Sequence, residues 1–200
     1  MNFRYLLMQL GLLLLVISAI ILLMPLSWAI YDWYTATEAA VVINERAAIW
    51  AMAVTVAVGA VLGLTLVLIG WRGRHAMLDR REALLLVGLS WFIGAALAAV
   101  PYRLWAHLAD MPADHPFQSF VPCYFESMSG LTTTGATVLG DIGALPDGLL
   151  MWRAITHWLG GLGIVVLFVA VLPTLGVGGK KLFQFEAPGP KQVGSVRPRI

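Results

Sequence analysis

Four long apolar runs, at residues 5–30, 47–71, 82–100 and 149–175, constrain this chain more than any other feature. At about 1.5 Å per residue the first run extends roughly 39 Å as a helix, enough to cross a bilayer core with some tilt. Composition agrees. The chain is 60% hydrophobic and 12% charged, with mean hydropathy +0.82, a balance foreign to a soluble domain of this size. The first run has a rival reading as a secretory signal, because Arg4 precedes it. It is too long for a signal core, however, and ends without a small-residue cleavage site. Trp28, Tyr31, Trp33 and Tyr34 follow it as an aromatic belt, expected where a helix leaves the membrane. The second run holds Gly59 and Gly63, a spacing that lets another helix approach closely. Glycine is common in membrane helices, so this is weak on its own. Pro101 is expected to end the third run.

Orientation follows from the basic residues. With both ends of the segment inside, Arg4, the loop with Arg72, Arg74, Arg80 and Arg81, and the tail from Lys180 face the cytoplasm. Only Arg46, Arg103 and Arg153 fall outside, the asymmetry expected because short positive loops are retained inside. Most of the acidic side chains fall outside, where they act as ordinary solvated loop charges or raise the local cation concentration.

Between the third and fourth runs lies the sequence Glu126-Ser-Met-Ser-Gly-Leu-Thr-Thr-Thr-Gly-Ala-Thr-Val-Leu139. Residues 117–131 read as a short helix, since Phe120, Tyr124, Phe125 and Met128 recur at spacings of three and four. Thr132 to Thr137 are small, β-branched or flexible and resist helix. A short helix followed by an extended Thr/Gly strand between two spans describes a re-entrant pore loop. Non-helical backbone at membrane depth survives only where protein buries it or where it lines a water-filled cavity. The alternative is a plain Ser/Thr-rich external loop. Carbonyls of an extended loop replace a cation's hydration shell if several such loops converge, and the preceding helix turns its partly negative C-terminal end toward the cavity. Gly135 permits backbone angles that other residues resist.

The segments FESMSGLTTTGATVL and HWLGGLGIVVLFVAVLPTLGVGGKKLFQFEAPGP resemble the first pore repeat of Trk-type potassium uptake proteins, the TrkH/TrkG branch of the Trk/Ktr/HKT superfamily. The resemblance implies an all-α integral membrane fold. An N-terminal two-helix hairpin (residues 1–75) precedes one membrane helix–re-entrant pore loop–membrane helix repeat (76–178) and a cytoplasmic linker (179–200). It implies that Thr133, Thr134, Gly135, Ala136 and Thr137 form the selectivity filter, with K+ held at Thr133, Thr134 and Gly135. Related plant transporters with a serine at the position of Gly135 prefer sodium, so glycine implies potassium. The implied activity is potassium uptake across the inner membrane of a bacterium, by a transporter and not an enzyme, with K+ as cargo and no cofactor. Membrane lipid, further pore repeats, a second copy in a homodimer and a cytosolic nucleotide-binding regulatory subunit of the TrkA type are the implied partners, and nucleic acid is not among them. The family has four repeats and one is present. The expectation is therefore a natural chain continuing past Ile200, with assembly of four copies as the alternative.

Other residues carry weaker signals. Glu126 on the short helix is costly at membrane depth and so is a functional candidate; it either bonds the filter backbone or lies at a wet edge. Arg153 and His157, one helical turn apart, are the basis of an alternative reading as a non-transporting membrane assembly protein or enzyme. Without an acid, Ser or Cys at a supporting spacing, Arg153 reads as an interface anchor and His157 as a packing histidine. Gly160, Gly161 and Gly163 are expected to face packed protein. Cys123 reads as an inert buried thiol, and a lone cysteine builds neither a disulfide framework nor a metal set. The stretch from Gly176 to Lys181 is not a phosphate loop, because Thr174 replaces its first glycine and no strand precedes it.

Overall fold

A computed structural model describes residues 3–35, 39–73 and 80–171, and every regular element among them is helical. Helix α1 (Phe3–Leu23) gives way at Met24 to α2 (Pro25–Thr35). Proline has no N–H to donate, so the ladder breaks there. The flanking bonds Met24 N to Ile20 O (3.1 Å) and Trp28 N to Met24 O (2.9 Å) carry the chain on. Together α1 and α2 form one apolar stretch, Phe3–Thr35, long enough to cross a membrane; Asn44–Gly73 and Glu82–Leu108 are two more.

Two expected boundaries shift. Helix α3 (Ala39–Gly70) begins eight residues before the second apolar run, so part of the segment between the first two runs is helical as well. Helix α4 (Arg80–Leu108) runs through Pro101 and on for two more turns. Proline removes one hydrogen bond from a helix interior, while the turns after it bury Tyr102, Trp105 and Ala106 in the core. Side-chain burial there outweighs the lost bond. The expected fourth span lies partly outside the described residues; α6 (Asp147–Val171) is helical to its last described residue. The tail, the linker 179–200 and most of the basic loop also lie outside.

Residues up to Leu162 form one compact unit. Helix α1 lies along α3, and Gly59–Gly63 finds its partner within the chain. A side chain at Gly63 would meet Gly11 O at 2.8 Å, and one at Gly11 would meet Gly63 O at 2.6 Å. Helix α4 packs against α3 and against a short helix, α5 (Phe120–Leu131). The α4–α5 connection satisfies its own backbone: the Gln118 amide donates to Ala106 O and Met111 O, and Arg103 donates to Gln118 Oε1 at 3.1 Å. His115 Nδ1 accepts from Phe117 N at 3.1 Å. Burial holds this imidazole below its ordinary value, with Asp114 opposing weakly, and so favours the neutral ring that can accept. Phe117 packs against Tyr102 with tilted rings (5.0 Å between ring centres) and seats the start of α5 against α4.

The first half of α6 is wedged into the same core. Glu45 Oε1 accepts from Asp147 N at 2.9 Å, and Trp152 Nε1 donates to Ala98 O at 3.0 Å. Gly160 lies so close to the Leu131 carbonyl that no side chain fits, whereas Gly161 faces open space. The expectation of packed protein holds for Gly160 and fails for Gly161, because consecutive residues on a helix point about 100° apart.

Candidate functional site

The end of α5 and the segment after it form one strapped unit. Thr132 closes the helix at φ −83°, ψ 1°. Thr133 then takes a left-handed conformation, φ 57°, and Gly135 a second, φ 75°. Thr133 N donates to Gly130 O (2.8 Å) and Thr134 N to Ser129 O (3.0 Å). This is the paired 5→2 and 6→1 pattern of a Schellman cap, which usually carries glycine where Thr133 stands. A β-branched residue at positive φ is an outlier, and such strain collects at functional sites.

After the cap the chain doubles back along α5. Ser129 Oγ donates to Ala136 O at 2.6 Å. Glu126 Oε2 accepts from Thr137 Oγ1 at 2.9 Å and from Val138 N at 3.1 Å. Glu126 and Ser129 are three residues apart and share one face of the helix, so they act as two successive rungs. Glu126 is 1% exposed and its other oxygen accepts from Arg153 Nε at 2.7 Å. A buried carboxyl group is costly unless it has a counter-charge and hydrogen-bond donors; here it has an arginine, a hydroxyl and a backbone N–H. Arg153 also reaches Gly135 O through Nη2 at 3.4 Å.

Thr133, Thr134, Gly135 and Ala136 are exposed on one loop, and Thr137 is half-buried against Glu126. Of the two readings of Glu126, bonding to the loop backbone is the one observed. Arg153, expected as an interface anchor, pairs with Glu126 and touches the loop. His157 Nδ1 sits 2.9 Å from Arg153 O, on its own helix. Cys123 is buried, its Sγ 3.2 Å from Ser119 O. Among the described residues no group of His, Cys, Asp and Glu could hold a metal ion. The oxygens the loop offers are carbonyls and hydroxyls, the ligands of hard monovalent cations. Sequence reasoning missed Ser129 and the reach of Arg153. The spacing of Glu126 to Ser129, and an arginine standing alone in an apolar run, were the available signals.

Three helices among the described residues are long and apolar enough to span a bilayer, as in a membrane protein, and a strained loop of exposed oxygens is strapped to a short helix. The model of the TrkH family, cation transport proteins, matches residues 102–200, which include α5, the loop and α6. The chain belongs to that family. It is similar to the Trk system potassium uptake protein TrkH of Halomonas elongata, 41% identical over 78% of this chain and 30% of the relative. It is also similar to TrkH of Escherichia coli K12 (41% identical; 64% of this chain, 25% of the relative) and to TrkG of the same strain (38%; 62% and 24%). The chain thus spans less than a third of the length of these relatives. No solved structure matches it.

Proposed function

We propose that this chain supplies one ion-path loop to a potassium uptake protein of the Trk system in a bacterial inner membrane. Helix α5 and residues 132–139 enter the membrane from the outer face and return, as a re-entrant loop. Carbonyls of the Thr133–Thr137 stretch line the path taken by dehydrated K+, in concert with equivalent loops. The relatives' names as potassium uptake proteins support the cargo. The domain division at residues 75 and 178, a homodimer and a cytosolic nucleotide-binding regulator belong to the same reading.

One observation carries it: the loop is exposed in a chain of this hydropathy, yet its rear is held by a fully hydrogen-bonded buried carboxylate. Such backbone at membrane depth is tolerated where it faces a water-filled path. The alternative built on Arg153 and His157 has less support. Arg153 is occupied by Glu126 and Gly135, and His157 by a carbonyl of its own helix.

The test is Gly135→Ser in the complete protein as its own gene encodes it, in cells without other potassium uptake. A Cβ at Gly135 meets only His157 Nε2, at 3.8 Å, so space is not the obstacle; φ is. Serine there costs roughly 1–3 kcal/mol of strain or moves the carbonyl, and about 1.4 kcal/mol is tenfold in an equilibrium. Gly135→Ser is expected to need more external potassium for growth and to admit more sodium relative to rubidium at matched expression. Wild-type affinity and ion ratio would remove this loop from the ion path.

A further inference from the structure

The loop's carbonyls are not equivalent, and α6 makes the difference. Ala136 O is taken by Ser129 Oγ, and Gly135 O accepts from Arg153 Nη2. Among the described residues, the carbonyls of Thr133 and Thr134 accept from no donor. A carbonyl that already accepts a guanidinium hydrogen is a poorer ligand for a second cation, because its lone pair and partial negative charge are already engaged. We infer that Arg153 is a specificity-determining positioning residue, which sets which loop carbonyls face the transported cation; this rests on the reading that the loop lines the ion path.

The arrangement suits that task. An arginine alone beside a cation path would repel the cargo, but Glu126 neutralises this one through a 2.7 Å contact. The guanidinium is a rigid fork, so fixing Nε on Glu126 fixes where Nη2 points. The same carboxylate holds Thr137 and Val138 through its other oxygen. One ion pair therefore ties α6 to both the bend of the loop, at Gly135, and its returning arm. Arg153 is 17% exposed and Glu126 fully enclosed, so the pair sits at the loop's rear with its charged fork turned toward the bend. The inference differs from assigning the whole of Thr133–Thr137 to the ion. It places the ion against Thr133 and Thr134, and has Gly135 shape the path from a carbonyl pulled toward α6.

Lysine separates positioning from charge. Arg153→Lys keeps a cation for Glu126 but has no fork with which to serve Glu126 and Gly135 together. Arg153→Gln alone strands a buried carboxylate and risks misfolding. The neutral pair Arg153→Gln with Glu126→Gln removes both charges and keeps an acceptor for Val138 N. Each variant, made in the complete protein, is compared with wild type and Gly135→Ser for membrane level, rubidium KM and maximal rate, and sodium-to-rubidium uptake ratio. Arg153→Lys and the neutral pair are expected at near wild-type membrane levels. Their rubidium KM should rise more than their maximal rate falls, and the sodium-to-rubidium ratio should increase several-fold. Wild-type KM and ratio in both variants, with Gly135→Ser altered, would overturn the inference and leave the loop reading intact. If Gly135→Ser is also unaltered, the loop reading itself is what fails. Failure of both variants to reach the membrane would likewise overturn it, since the pair would then serve assembly.

Discussion

Thr133 is where local preference and the observed backbone disagree most. An L-residue in the left-handed region costs roughly 1–2 kcal/mol, and glycine takes it nearly free at an entropic cost of about 0.5–1 kcal/mol. The Thr133 side chain is exposed, and the backbone N–H makes the cap whatever the side chain is. Thr133→Gly is therefore expected to raise stability by about 0.5–1 kcal/mol, read as an increased midpoint in denaturation of the purified complete protein. Ion discrimination should worsen in the same variant, because the free carbonyls of Thr133 and Thr134 gain room to move. Lower stability would mean that the threonine is held by contacts outside this segment. Gly135, by contrast, is a residue suited to its angle, and this is why its motif could be read from sequence while Thr133's strain could not. Nothing in a row of three threonines says which one turns left-handed.

At the scale of elements, the loop's position depends on two helices clamping α5. On one side α4 presents Tyr102 to Phe117; on the other, α6 brings Gly160 against the last turn of α5. Gly130 of α5 also lies close to α6, against the Thr156 side chain. Overpacking such a contact costs roughly 1–3 kcal/mol, and 1.4 kcal/mol is about tenfold in a folding equilibrium. Gly160→Leu is accordingly expected to cut the folded yield of membrane protein about tenfold, while Gly161→Leu, facing open space within this unit, stays near wild type. Equal loss in both, by detergent-resistant folded fraction, would show that Gly161 is also covered in the complete protein. The boundary expected at Pro101 fails for a physical reason. Proline and polar residues mark helix ends only when no tertiary contact rewards continuing, and past Pro101 the buried Tyr102 and Trp105 provide that reward.

At the scale of the whole molecule, orientation rests on the distribution of lysine and arginine. The basic loop at 72–81 is expected in the cytoplasm and residues 36–46 outside. Single cysteines from Ala76→Cys and Ala40→Cys, in intact cells treated with a membrane-impermeant thiol reagent, should label only at position 40. Label at 76 and none at 40 would invert the protein and with it the entry face proposed for α5.

The sequence by itself determined the class of protein. Long apolar runs leave the backbone no stable option in a bilayer core but helix, and the Thr/Gly stretch between two of them cannot be one. It also marked the residues of the loop, because their type and order carry the motif. Only the tertiary structure decided how the loop is held. The Arg153–Glu126 pair joins residues 27 apart in sequence, and the bond from Asp147 to Glu45 joins residues 102 apart. Such pairs depend on which helix faces lie together, and periodicity within one helix is silent about its neighbour. Burial then turns two isolated charges, each costly alone, into one support for the loop.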